Sequence, residues 1–283
     1  MRSRWRSLLF TPANDQARLA KAHLRGADAV ILDLEDGVAP SAKTAARAGL
    51  PGVIAALAAQ GVEIVVRINV DPDAAEQDLA AAVRPGVVAI MVPKADGSER
   101  LASIAAHIGK LERGPGQGTG WVGLLPLIES ATGVEALTAI ADTPRVVGLA
   151  LGVEDFAESL GVEPSAECLD LPCRLIALAA AARGIAGIAL PGGIADFRAI
   201  DVFSQAATRG RAMGLTGALC VHPDQVAAAN AAFAPSPAEI AQARAVLAAW
   251  GAAGGQGVAQ LDGKMIDLPV AKRAERLLAQ VRP

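Results

Sequence analysis

The chain has 283 residues, a formal net charge of −3 and 52% hydrophobic residues, with no tyrosine and only 3% aromatics. The length suits one α/β barrel with a tail. The slightly negative charge, with no concentrated basic stripe, excludes a general nucleic-acid binder. Charges or Gly/Pro interrupt every apolar stretch short of the ~20 residues that a membrane span needs; Leu175–Ala182, for example, is fenced by Arg174 and Arg183. The N-terminal MRSRWRSLLFTPAND has no adequate apolar region for a signal peptide. Cys168, Cys173 and Cys220 are odd in number and lack C-x-x-C spacing, which reads as reduced thiols in a cytoplasmic protein.

In chain order, eight short β-type runs are expected: Ser7–Phe10, Ala29–Leu34, Glu63–Asn69, Val87–Val92, Trp121–Ile128, Arg145–Ala150, Gly184–Leu190 and Ala218–Val221. Alanine-rich helical patterns lie between them, among them Gln16–Arg25, Lys43–Gln60 and Glu99–Glu112. Strands alternating with helices imply parallel pairing. Eight such units predict a (β/α)8 TIM barrel, with a doubly wound open sheet as the alternative. RGPGQGTG at Arg113–Gly120 follows a helix and precedes a strand, so it reads as a structural connector on the face opposite the catalytic one.

Residues 1–234 are expected to form the barrel catalytic domain and residues 235–283 a C-terminal helical extension. Ser236, Pro237 and Glu239 make a capping box for a helix running to about Trp250. The glycine-rich GAAGGQGVAQLDG follows, read as a hinge for a lid. KMIDLPVAKRAERLLAQ comes next, its Pro269 fitting the start of a last helix.

Segments that follow strands line the catalytic face of a barrel. The strand ends, in order, are Phe10, the Asp33/Glu35/Asp36 cluster, Arg67, Lys94, Glu129, Asp155, Pro191 and His222. Glu129 and Asp155 come from neighbouring strands, so their carboxylates can converge. Two carboxylates with waters and substrate oxygens suit Mg²⁺, with Mn²⁺ as a substitute. His23, His107 and His222 are too scattered for a His-rich zinc site. Arg67 offers a planar fork for a substrate carboxylate, or alternatively a core ion pair with Glu129 or Asp36. In LDLEDGV, alternation directs Asp33 and Glu35 to one side and Asp36 past the strand end. A carboxyl raised by its acidic neighbours can act as a base; the alternative is that Glu35 and Asp36 only orient Arg67 and metal-bound water. Lys94 reads as structural rather than as a Schiff-base lysine, and His222 as a wall or hydrogen-bonding residue.

RSLLFTPAND, ADAVILDLEDGVAPSAKTAAR, VVRIN, VPKAD, LLPLIES, LGVEDF, VHPDQ and GKMIDLPV occur in this order along nearly the whole chain. Together they resemble the citrate lyase β-subunit-like family of the HpcH/HpaI aldolase group, whose members include malyl-CoA and citramalyl-CoA lyases. The resemblance implies that Glu129 and Asp155 are Mg²⁺ ligands and that Arg67 binds the oxo-acid carboxylate. Phe10 and Lys21, placed in the first strand and first helix, fall where relatives contact CoA. Asp267 matches a catalytic acid delivered to a neighbouring subunit, in a family that is generally oligomeric, as a trimer or hexamer.

The implied activity is Mg²⁺-dependent, reversible Claisen-type cleavage of a 3-hydroxy-3-carboxyacyl-CoA such as malyl-, citramalyl- or citryl-CoA. It gives an acyl thioester and a 2-oxo acid, with Asp267, Asp36 and Glu35 as candidates for proton transfer. The alternatives are a citryl-acyl-carrier-protein lyase subunit of a citrate lyase complex, a CoA-independent class II pyruvate aldolase, and a non-catalytic thioester-binding scaffold.

Overall fold

Runs rich in Val, Ile and Leu form strands that are buried on both faces, as parallel strands wrapped by helices must be. The computed structural model describes residues 5–112 and 120–281. Its strands are β1 (Ser7–Pro12), β2 (Ala29–Asp33), β3 (Ile64–Arg67), β4 (Val87–Val92), β5 (Gly123–Ile128), β6 (Gly148–Leu151), β7 (Ala186–Ile188) and β8 (Ala218–Cys220). Every residue of β2, β3, β5 and β6 is buried. Neighbours in sequence pair in parallel from β1 to β7, and β8 pairs with β1. The ring closes at a parallel bridge between Ile188 and Gly217, with Ala189 N donating to Gly217 O at 3.0 Å and Thr216 N to Gly187 O at 2.8 Å. The fold is therefore the (β/α)8 barrel expected from the sequence, not the open sheet.

Helices α1 (Gln16–Leu19), α2 (Lys43–Ala58), α3 (Pro72–Ala82), α4 (Ser98–Leu111), α5 (Ala131–Glu135) and α6 (Leu137–Ala141) belong to the first five strand-to-strand connections, the last two sharing one. They are followed by α7 (Val153–Ser159), α8 (Ala166–Arg183), α9 (Ile200–Met213) and α10 (Pro223–Phe233). On α4, Leu101, Ile104, Ala105 and Ile108 are buried, the i, i+3, i+4, i+7 stripe of a helix lying on a sheet.

The first expected helix is shorter than its alanine-rich pattern suggests. Lys21 N turns back to Arg18 O at 3.1 Å, which tightens the chain, and a 3₁₀ turn at Ala22–Arg25 replaces the last helical turn. Arg113–Gly120 lies, apart from Gly120, outside the described residues.

The contacts divide the chain into two units, with the boundary between Phe233 and Ala234. The second unit comprises α11 (Pro237–Ala252), β9 (Ala259–Leu261), β10 (Lys264–Ile266) and α12 (Leu268–Leu278). The capping box forms: Glu239 N donates to Ser236 Oγ at 3.2 Å, and Ser236 N to Glu239 Oε2 at 2.7 Å. Part of the stretch read as a hinge is instead a hairpin, β9 pairing antiparallel with β10. Asp262 (φ 48°) and Gly263 (φ 73°) form its two-residue turn, and Asp-Gly is a favoured pair where both central residues need positive φ. Ala243, Val246, Ile266 and Ala274 make a small core of this unit's own. Among the described residues no helix is long and apolar enough to cross a membrane.

Candidate active site

Parallel register sets Asp33 beside Arg67 at the ends of β2 and β3. Arg67 Nε and Nη2 each donate to Asp33 at 2.7 Å, a bidentate pair whose partners are only 8% and 2% exposed. Asp33 also accepts the backbone N–H groups of Glu35 (2.9 Å) and Gly37 (2.8 Å). The two core partners considered from the sequence thus give way to a third. Asp33 takes the fork, Asp36 is a looser neighbour 3.5 Å from Nη1, and no ion pair forms with Glu129. Nη1 pairs ionically with Glu35 Oε2 at 2.9 Å, although that buried oxygen accepts no hydrogen bond among the described residues. The Phe10 ring lies 4.9 Å from Arg67 Cζ, a cation–π contact. Burial opposes the guanidinium charge, but Asp33, with Glu35 and Asp36, outweighs it and holds Arg67 more firmly protonated than usual.

Behind Arg67, a second network fixes the end of β3. The Asn69 amide donates to Leu34 O (3.0 Å) and Asp78 Oδ2 (2.7 Å), and Lys43 Nζ donates to Asn69 Oδ1. Asp78 is fully buried on α3 and also accepts from Arg47 Nε at 2.7 Å. Arg100 on α4 donates to Pro93 O at 2.8 Å and Val70 O at 3.2 Å, tying the ends of β3 and β4 together. Asp33 stood out in the sequence as part of the acidic cluster, but its pairing with Arg67 needed the strand register. No local pattern pointed to Asn69, Asp78, Lys43, Arg47 or Arg100.

Glu129 follows β5, is 5% exposed, and accepts the Lys94 backbone N–H at 2.6 Å. Asp155 stands exposed in the first turn of α7, after the neighbouring strand β6. Burial pushes the Glu129 carboxyl up to about 7, against the Lys94 hydrogen bond and with the charges of Asp155 and Glu35 adding to the rise. Burial likewise pushes Glu35 up to about 7, despite Arg67 and with Asp36 and Asp33 contributing. Arg67 ends β3, Glu129 follows β5 and Asp155 follows β6, so all three stand at the carboxyl ends of barrel strands, with Glu35 2.9 Å from Arg67.

Among the described residues no set of three or more His, Cys, Asp or Glu side chains is poised to enclose a metal. Glu129 and Asp155 remain as an oxygen pair. The buried Glu129 carboxylate, with the charges of Asp155 and Glu35 acting on it, offers hard oxygen donors that fit a divalent cation keeping part of its water shell.

In metal-free protein the two raised carboxyls have a definite consequence. Each keeps its proton to higher pH in the folded chain than in the unfolded one. The stability this lends is fully present below 4.5 and is lost as pH rises through about 7. The melting temperature of EDTA-treated protein should therefore fall between about pH 5 and about pH 8, and fall less in Glu129→Gln. An equal fall in both proteins contradicts the assignment for Glu129.

The remaining candidates are dispersed. The Lys94 side chain is exposed, and it is the residue's backbone that meets Glu129. His222 stacks on Phe197 at 4.7 Å with Nδ1 3.4 Å from Asp224, as suits a wall residue. Lys21 is exposed and precedes the 3₁₀ turn rather than lying within a helix. In the second unit, Asp267 caps α12, its Oδ1 accepting the Val270 N–H at 3.1 Å. The loop between β7 and α9 is clamped at Ile194, whose N–H meets Glu154 Oε1 (2.8 Å) and whose carbonyl meets the buried Gln225 amide (2.8 Å). Cys168, Cys173 and Cys220 are free, and burial pushes the thiols of Cys173 and Cys220 up to about 12.

A parallel eight-stranded barrel with an anchored arginine and acids at the carboxyl ends of its strands has the architecture of a barrel enzyme, with the candidate site on its catalytic face. The chain belongs to the HpcH/HpaI aldolase/citrate lyase family, whose model matches residues 6–223. It is 33% identical over 279 residues to the citrate lyase subunit beta of Escherichia coli (strain K12), covering 97% of this chain and 92% of that one. It is 34% identical over 268 residues to a (3S)-malyl-CoA thioesterase of Cereibacter sphaeroides, covering 93% and 90%. Among solved structures it resembles CitE from Mycobacterium tuberculosis in complex with magnesium, acetoacetate and coenzyme A. That match has 31% identity, 97% coverage of both chains and a TM-score of 0.75. The family expected from the ordered motifs is the family found.

Proposed function

We propose that this chain is a Mg²⁺-dependent carbon–carbon lyase acting on a 3-hydroxy-3-carboxyacyl-CoA, such as malyl-, citramalyl- or citryl-CoA. The observation that supports the reading is that Arg67, clamped by Asp33 and 2.9 Å from Glu35, and the buried Glu129 stand at carboxyl ends of the barrel strands, with Asp155 after the strand next to that of Glu129. The relative crystallised with magnesium, acetoacetate and coenzyme A supports it. Glu129 and Asp155 would hold Mg²⁺, with Mn²⁺ able to replace it. When bound, the ion supplies Lewis-acid polarisation of the substrate's hydroxyl and carboxylate oxygens.

The chain's own residues do the rest. Arg67, clamped by Asp33 and backed by Phe10, turns its remaining Nη hydrogens to the substrate carboxylate and stabilises charge on the departing carbonyl oxygen. Glu35 has a carboxyl near 7 that matches the task of accepting the hydroxyl proton, with Asp36 as the second candidate. As that proton leaves, the hydroxyl carbon becomes the carbonyl of a 2-oxo acid. The carbon–carbon bond's electron pair passes to the thioester enolate, and Asp267 of a neighbouring copy protonates it. Phe10 and Lys21 are assigned to the CoA side, and a homo-oligomer, trimer or hexamer, would bring Asp267 into play.

Two other readings have specific support. The Escherichia coli relative is a citrate lyase subunit, which favours a carrier-protein thioester as substrate. The Cereibacter relative is a thioesterase, which favours hydrolysis. A CoA-free class II pyruvate aldolase is the third reading. Oxo-acid release from the CoA thioesters should stop in EDTA and return with Mg²⁺, and borohydride added with substrate should leave Lys94 unlabelled. Turnover that persists in EDTA, or a borohydride-trapped Lys94, would overturn the metal-dependent reading.

A further inference from the structure

Two features of the backbone meet at the Glu129 carboxylate. The first is Lys94, which has φ 49°, in the left-handed region that a residue with a side chain adopts only when its surroundings impose it. The surroundings do impose it. Arg100 Nη1 pins the preceding Pro93 carbonyl at 2.8 Å, and the following Ala95 N–H is tied to Leu127 O at 3.0 Å. The strained residue between them points its own N–H at Glu129 Oε2, 2.6 Å away.

The second feature is Gly152, just past β6. Its φ of −82° and ψ of 91° are open to any residue, so no turn calls for glycine there. A Cβ at this position would lie 2.6 Å from Glu129 Cγ, 3.0 Å from Oε1 and 3.3 Å from Cδ. All three nearest atoms belong to Glu129. The site is empty of side chain for the sake of that carboxylate.

We infer that Lys94, through its backbone N–H, and Gly152, through its missing side chain, are positioning residues that fix the Glu129 carboxylate for a divalent cation. The inference rests on the function proposed above and extends it: Lys94 serves through its main chain, and its amine is dispensable to metal binding. The three nearest atoms that a Cβ at 152 would meet all belong to the Glu129 side chain, so that side chain is what must shift.

The test is Mn²⁺ binding to metal-free protein, followed by electron paramagnetic resonance without substrate, with circular dichroism as the fold control. Gly152→Ala should keep the spectrum and raise the Mn²⁺ Kd about 10- to 100-fold, the usual cost of losing a group that orients a metal ligand. Lys94→Val, whose branched side chain resists positive φ, should raise it about as much, whereas Lys94→Gly should stay within about threefold of wild type. If wild type binds no Mn²⁺, the proposed function itself falls. If wild type and Gly152→Ala bind alike, or Lys94→Gly is as weak as Lys94→Val, the function stands and the positioning roles are overturned. Should Gly152→Ala not fold, the Lys94 pair decides.

Discussion

Arg67→Lys should lower kcat/KM for oxo-acid release by about 10²- to 10³-fold while leaving the barrel folded. Lysine keeps the charge but not the geometry. Arg67 uses Nε and Nη2 together on Asp33, with Nη1 against Glu35, and its planar cation faces the Phe10 ring. An ammonium has one point of attachment where the guanidinium has three, so it cannot be clamped by Asp33 and present hydrogens to substrate at once. Arg67→Ala should be harsher on the fold. It leaves Asp33 buried with only the backbone N–H groups of Glu35 and Gly37, and breaking a buried pair from one side costs about 3–5 kcal/mol. Steady-state rates and urea denaturation of the two variants check both points. A lysine variant with normal kcat/KM would show that Arg67 is only a structural partner of Asp33.

Glu129→Gln and Asp155→Asn should each remove metal-dependent turnover, by about 10³-fold or more, because several kcal/mol of charge stabilisation is lost with the ion. The two variants should differ in stability. Glutamine at 129 keeps an oxygen for the Lys94 N–H and removes a charge that burial disfavours. Metal-free Glu129→Gln should therefore melt higher than wild type above about pH 7, whereas Asp155 is exposed and its replacement should leave the melt little changed. Turnover and melting curves with and without Mg²⁺ read both effects. Full activity in either variant would take the ion away from this pair.

The barrel was legible because its information is local and repeated. Apolar runs alternating with alanine-rich helices require no long-range knowledge, and Ser236, Pro237 and Glu239 mark their helix start within four residues. Arg67, Glu129 and Asp155 were legible for a related reason, as charges where apolar runs stop. Their partners were not. Asp33 is the Arg67 clamp only because β2 and β3 run side by side in one register. Phe10 faces the guanidinium from the strand beyond β2, a relation no spacing reveals. Lys94 read as structural, but nothing in the sequence showed that its backbone takes a positive φ and turns its N–H to Glu129. The hairpin at Asp262–Gly263 did carry a local signal, which the surrounding glycines obscured.

The most direct measurement is the identity of the products when the chain meets malyl-, citramalyl- and citryl-CoA with Mg²⁺, resolved by mass spectrometry. Carbon–carbon cleavage at the Arg67–Glu129–Asp155 mouth predicts equal amounts of an acyl-CoA and a 2-oxo acid from at least one of them. Free CoA accompanied by the intact hydroxy acid would contradict it and make the chain a thioesterase.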